Sequence, residues 1–154
     1  VEVQAGSARF LADEPVEVGG LDSGPSPYDL LGAALGACTA MTCRLYADRK
    51  GWPLARVSVE VSHTARTVQT KDRFKREIGL EGDLDAEQRQ RLIEIAEKCP
   101  VHRTLTEGAE VVTEARAEPA PVAPATDVGE HFDRMTEACA DDDPSTPCPE
   151  PASA

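Results

Sequence analysis

Residues 26–53, SPYDLLGAALGACTAMTCRLYADRKGWP, read as one long apolar helix with a cysteine, Cys38, at its middle. Ser26 is a good N-cap, Pro27 suits the first helical position, and Asp29 stands three residues after the cap, as in a capping box. Leu30, Leu31, Ala34, Leu35, Cys38, Met41, Thr42, Leu45 and Tyr46 recur at helical spacing. Gly51 is placed to end the helix and Pro53 keeps it from resuming.

The residues around this helix alternate between strand and helix signals. VEVQAGSARFLADE reads as a first, loosely patterned strand, and PVEVGGLDSGPSP as a short strand and a loop. After the helix, LARVSVEVSHTA sets Val57, Val59, Val61 and His63 on one face, with Ser58, Glu60 and Ser62 on the other. FKREIGLEG alternates through Phe74, Arg76, Ile78 and Leu80, and RTVQTKD is the hairpin loop between the two. Asp85 caps a second helix, with Gln88 completing its capping box; Leu92, Ile95, Ala96 and Cys99 mark its buried stripe and Pro100 stops it. AEVVTEA reads as a final strand. The expected fold is α+β, with two main helices on an antiparallel-rich sheet.

At 154 residues the chain suffices for one domain and an appendage. Aromatic residues are only 4%, so the core has to come from Leu, Val, Ile and Ala. The net charge of -12 argues against nucleic acid or an anionic membrane as partner, since both would repel it. No apolar run approaches the roughly 20 residues of a membrane span, and VEVQAGSARF has no signal-peptide pattern. A cytoplasmic protein is expected. The chain changes character near residue 117: residues 117–154 hold seven of the twelve prolines and carry nine acids against one base, Arg134. We expect residues 1–116 to be the folded domain and 117–154 a mobile acidic tail. Within the tail, VGEHFDRMTEACA has Phe132, Met135 and Cys139 at helical spacing, so a docked helix is the alternative there.

Five cysteines, Cys38, Cys43, Cys99, Cys139 and Cys148, are odd in number and irregular in spacing, unlike a secreted disulfide framework. A cysteine on the apolar face of a helix is ordinarily a small hydrophobe, and on spacing alone Cys38 reads more readily as core than as a working thiol. Its neighbours Gly36, Ala37, Thr39 and Ala40 are small enough to let another element approach the sulfur. Cys43 lies roughly 140° around the helix from Cys38 and reads as structural. Cys139 and Cys148 read as incidental. If Cys38 and Cys99 meet, a recessed thiolate can attack an oxidant and a more mobile thiol can resolve the product. Arg9, Arg103 and His102 are candidates for the cation that such a thiolate needs. Asp29 reads more simply as a cap than as an acid, Tyr28 as a first-turn residue and His63 as a strand residue. Cys99 and His102, in CPVH, offer two metal ligands without a matching second pair.

GPSPYDLLGAALGACTAMTCRLYADRKGWPL, followed by QRQRLIEIAEKCPVHRTL, closely resembles the OsmC/Ohr family of osmotically induced and organic hydroperoxide resistance proteins. DEP, GPSPYDLL and KCPVHRTL look most like the OsmC-like branch sometimes fused behind an α/β-hydrolase domain; excision from such a fusion would account for the absent initiator Met. The resemblance implies an intertwined homodimer and a thiol peroxidase that reduces organic hydroperoxides. Cys38 falls at the family's peroxidatic position and Cys99 at its resolving position, with an internal Cys38–Cys99 disulfide recycled by a dithiol such as a lipoylated protein or thioredoxin. It implies no metal or organic cofactor. Tyr28 and Met41 are candidate substrate contacts. One departure stands out. The family's usual Glu, ten residues before the cysteine, is replaced by Tyr28 beside Asp29, and no Arg matches its usual partner. Arg9, the only base in the first 43 residues, is the substitute candidate. Loss of an oriented cation should raise the thiol pKa and slow attack, so weaker activity or a different oxidised substrate is expected. A non-catalytic dimeric module that binds a small apolar ligand, and a redox sensor using the same cysteines, are the competing readings.

Overall fold

The computed structural model describes residues 1–115 and 130–140. Its elements are β1 (Glu2–Ala5), β2 (Ala8–Leu11), α1 (Pro27–Lys50), β3 (Leu54–Thr64), β4 (Arg73–Gly82), α2 (Ala86–Ala96), α3 (Pro100–Glu107) and α4 (Glu130–Ala140). The architecture is α+β, as expected. β3 and β4 pair antiparallel from Leu54↔Gly82 to Thr64↔Arg73, and β1 and β2 form a separate antiparallel hairpin. α1 lies on β3, with α2, α3 and α4 packed along its other sides.

Local chemistry explains most of these elements. The Ser26 hydroxyl accepts from the Asp29 amide, and the Asp29 carboxylate accepts from the Ser26 amide at 3.0 Å, so both orphan donors are satisfied at the start of α1. Gly51 ends the helix in the left-handed region, at φ 64°, where a Cβ would be strained. Arg44 then ties the helix to the next strand by donating to the carbonyls of Leu54 and Ala55. Asp85 and Gln88 form the second capping box, at the head of α2.

Two apolar clusters result. The larger joins Cys43, Leu45, Tyr46, Ala47, Leu54, Leu84, Leu92, Ile95 and Ala96 to Met135 and Cys139 of α4. Leu92 and Ile95 are fully buried there, each contributing about 1.5–3 kcal/mol by removal from water. The smaller consists of Leu35, Cys38 and Cys99, lined by Val61, Phe74, Val101 and Leu105.

Several expectations are corrected. The first strand is a hairpin, because Gly6, at φ 58°, turns the chain back. Residues 16–18, read as a strand, form one turn of 3-10 helix closed by Gly19. α2 ends at Ala96, and Pro100 begins a third helix instead of stopping the second: proline fits the first turn of a helix as well as it blocks an interior. AEVVTEA is not a strand, as no described segment pairs with it. Contrary to the hydropathy reading, α1 has an 18-residue window of mean hydropathy 1.3, long and apolar enough to span a membrane by composition; half of that window is buried inside this fold, as befits a central helix. Of the tail, α4 is a helix resting on α1 and α3, with Cys139 buried. Phe132's side chain, Cys148 and the remainder of the tail lie outside the described residues.

Candidate functional site: a buried thiol pair under a helix N-terminus

Cys38 sits at the middle of α1 and Cys99 immediately before α3, yet their side chains share a hydrogen bond. Neither is in a disulfide and both are buried, at 2% and 0% exposure. The turn between α2 and α3 brings them together. Cys99 is the N-cap of α3, with extended backbone (φ -60°, ψ 139°), and Pro100 occupies the first helical position. The first-turn amides of α3 therefore point at sulfur: Val101 N–H donates to Cys38 Sγ at 3.5 Å and His102 N–H donates to Cys99 Sγ at 3.3 Å. These are among the amides a helix leaves without internal partners, at the positive end of its dipole.

The two thiols differ in their surroundings. The Thr39 hydroxyl lies 3.7 Å from Cys99 Sγ and also donates to Leu35 O at 2.7 Å. Behind it stands Arg76 of β4, whose Nη1 donates to Thr39 Oγ1 at 2.8 Å and to Ala96 O at 3.0 Å. Its Nη2 reaches Glu97 Oε1 at 2.7 Å, and the side chain is only 8% exposed. The proton that Cys38 offers, and then the His102 amide, the Thr39 hydroxyl and the Arg76 charge, outweigh burial and pull the Cys99 thiol below the ordinary range. Cys38 moves the opposite way, first because it donates to Cys99 and second because it is buried. The two thiols titrate as a pair, with Cys99 lowered and Cys38 raised. Cys43, facing the larger core, is pushed up to about 11 by burial.

The other candidates from the sequence lie elsewhere or serve other ends. Arg9 pairs with Glu2 at 3.8 Å across the β1–β2 hairpin, and Arg103 pairs with Glu107 at 3.2 Å. The His102 ring faces Glu97 at 3.3 Å, so its contribution to Cys99 is its backbone amide. Asp29 is engaged by Ser26, and Met41 is half exposed on α1. No cluster of three metal-ligating groups occurs among the described residues. Tyr28 stacks on His63 with ring centroids 4.1 Å apart, the Phe74 ring lies tilted against His63 at 4.7 Å, and His63 Nε2 meets Asp72 at 2.9 Å. These rings stand beside a groove of about 230 Å³ along the first turns of α1, which neither sulfur lines. Sequence reasoning missed Arg76 and Thr39. The available signal was an arginine in the inward series Phe74, Arg76, Ile78, Leu80, an inner-face charge that requires a partner.

The description OsmC-like protein belongs to a family model that matches residues 20–114. The chain belongs to the OsmC-like family. No curated protein sequence matches it. Solved structures share the fold of this OsmC-like chain: an OsmC-like protein from Mycoplasma pneumoniae is 19% identical, with TM-score 0.59, over 68% of this chain and 77% of that one. A Psychrobacter arcticus 273-4 protein assigned to osmotic stress and detoxification is 22% identical, with TM-score 0.57, over 63% and 72%. A Vibrio cholerae protein assigned to organic hydroperoxide resistance, with captopril in one of its active sites, is 19% identical, with TM-score 0.54, over 65% and 71%. At these identities the likeness is one of fold.

Proposed function

We propose that this OsmC-like protein is a thiol peroxidase for organic hydroperoxides, with Cys38 as the attacking sulfur and Cys99 as the resolving one. The observation that carries this reading is the hydrogen bond between two thiols from separate helices, both under the amides of α3. A merely structural cysteine has no need of such donors. The Vibrio relative's assignment to organic hydroperoxide resistance supports the substrate class.

Cys99, as the thiolate, takes the Cys38 proton while Cys38 sulfur attacks the outer peroxide oxygen. The O–O bond breaks, the alkoxide takes that proton from Cys99, and an alcohol leaves with Cys38 as sulfenic acid. Cys99 sulfur then attacks Cys38 sulfur, expelling hydroxide and forming the disulfide. An external dithiol returns the pair to the reduced state. Entry to the buried sulfurs requires α3 to move aside, and none of its side chains is fully buried. A homodimer fits the exposure of Leu31 (43%) and Met41 (51%) on α1, whose apolar residues run around its circumference. Tyr28, beside His63 and Phe74, would offer the apolar part of a hydroperoxide an aromatic wall.

The test is to mix reduced protein with cumene hydroperoxide and count free thiols by mass spectrometry. Loss of about two thiols per chain is expected, with none in Cys38→Ser; in Cys99→Ser, which lacks both the base and the resolving sulfur, the sulfenic acid should form more slowly and stay trapped. Turnover with excess dithiol separates an enzyme from a sensor, and an unchanged thiol count in the wild-type chain defeats the peroxidase reading.

A further inference from the structure

Of the two sulfurs in the pair, Thr39 and, through it, Arg76 bear on Cys99. Thr39 has a single hydroxyl proton and two acceptors within reach, Leu35 O and Cys99 Sγ. Arg76 donates to the hydroxyl oxygen, and such a donor makes the remaining O–H a better donor in turn. When Cys99 carries a negative charge, the hydroxyl proton gains most by turning to sulfur. Arg76 is held for this task by Ala96 O and Glu97, immediately before the turn that carries Cys99. The arrangement is therefore built to receive charge on one particular sulfur.

We propose that Arg76 is a positioning residue that acts through Thr39 to stabilise negative charge on Cys99, and so makes Cys99 the leaving group when an external dithiol reduces the Cys38–Cys99 disulfide. The inference rests on the disulfide of the proposed function but not on the oxidant that forms it. A thiolate of the dithiol attacks Cys38 Sγ; the protein S–S bond breaks, and its electron pair leaves on Cys99 Sγ. The second thiol of the reductant then attacks the mixed disulfide on the reductant's own sulfur and releases Cys38, which takes up a proton. The dithiol ends as a disulfide, Cys38 as a thiol and Cys99 as a thiolate, with one proton released. A lower leaving-thiol pKa speeds such exchange and directs attack to the other sulfur. The charged and titratable groups around Cys99 are Cys38 and Cys43 from α1, Arg76 from β4, Glu97 held by Arg76, and His102, whose ring faces Glu97.

The experiment begins with full-length protein oxidised by diamide, so that no peroxide is involved. A monothiol, 2-mercaptoethanol, is used to trap the first mixed disulfide, and peptide mapping locates it. Cys38 is the expected site; trapping chiefly on Cys99 overturns the proposal. Rates of reduction by dithiothreitol are compared for wild type, Arg76→Gln, Arg76→Lys, Thr39→Val and Thr39→Ser. Arg76→Gln and Thr39→Val should each slow reduction several-fold, because a less acidic Cys99 thiol is a poorer leaving group. Thr39→Ser should restore the rate and Arg76→Lys part of it. Should Arg76→Gln fail to fold, the Thr39 pair carries the test, and equal rates for Thr39→Val and Thr39→Ser overturn the proposal. A chain inert to hydroperoxide whose disulfide still shows this dependence defeats the peroxidase reading and leaves the present one standing.

Discussion

Asp13 shows how one side chain organises a stretch without regular structure. Its carboxylate accepts from the amides of Glu14, Leu21 and Ser23 and from the Ser23 hydroxyl at 2.8 Å, gathering the loop between β2 and α1. Those bonds, the Ser23 hydroxyl foremost, hold its pKa at about 2 against an ordinary 3.8. A carboxylate whose folded pKa is depressed stabilises the native state above its unfolded pKa and loses that contribution as pH falls through the folded one. The stabilisation should accordingly be complete above about 4 and fade toward about 2. Asp13→Asn mimics the protonated residue at every pH. Urea midpoints should show it weaker than wild type near neutrality, with the gap closing as pH approaches the acid end of that window. A gap independent of pH would assign the effect to shape instead of charge. At the same scale, Arg76 was visible in the sequence only as an inward position on a strand. Its partner Thr39 lies 37 residues away, and a contact across that separation has no signature in local spacing.

Among the elements, those governed by neighbours in sequence were legible and those governed by distant partners were not. Both capping boxes, the glycine stop of α1 and the β3–β4 hairpin follow from local rules, and each forms where those rules put it. Pro100 was ambiguous because the same ring constraint that ends one helix favours the start of another, and only the chain's path decides. The alternation in 109–115 had no such ambiguity of type; it lacks a ladder partner among the described residues, and isolated alternation does not make a strand. α1 allows a sharper test. Gly36 is buried in its interior, but a Cβ there would sit 3.5 Å from Val61 Cγ2 and 3.8 Å from Val59 Cγ1, which is ordinary contact. Gly36→Ala should therefore stabilise the protein by about 0.5–1 kcal/mol through helix propensity alone. Gly36→Leu should destabilise it by about 1–3 kcal/mol, because the extra methylenes must enter β3. Denaturant midpoints read both, and an unstable alanine variant would mean that the helix and sheet approach more closely than these distances allow.

Across the whole molecule, α4 raises the question of whether the chain unfolds as one unit. It belongs to a stretch read from composition as a mobile tail, yet Met135 and Cys139 are buried among Cys43, Leu45, Leu92 and Ile95. A core methionine cut to alanine ordinarily costs about 2–5 kcal/mol, provided its element stays in place. A docked helix has another option: it can leave, and the loss is then capped at the free energy of docking. Met135→Ala should thus lower the global midpoint by less than a cavity in α2 would, as in Leu92→Ala. It should also raise the alkylation rate of Cys139 and Cys43 by N-ethylmaleimide under native conditions, since departure of α4 uncovers both. Cys38 and Cys99, in the separate smaller cluster, should keep their wild-type rates. Equal protection of Cys139 and Cys43 in the variant, together with a full cavity-sized loss of stability, would make α4 an integral part of one cooperative core. Unchanged thiol-pair reactivity beside exposed Cys139 would instead mark two structural units on one helix: a thiol pair on the Cys38 face of α1 and a removable cover on the Cys43 face.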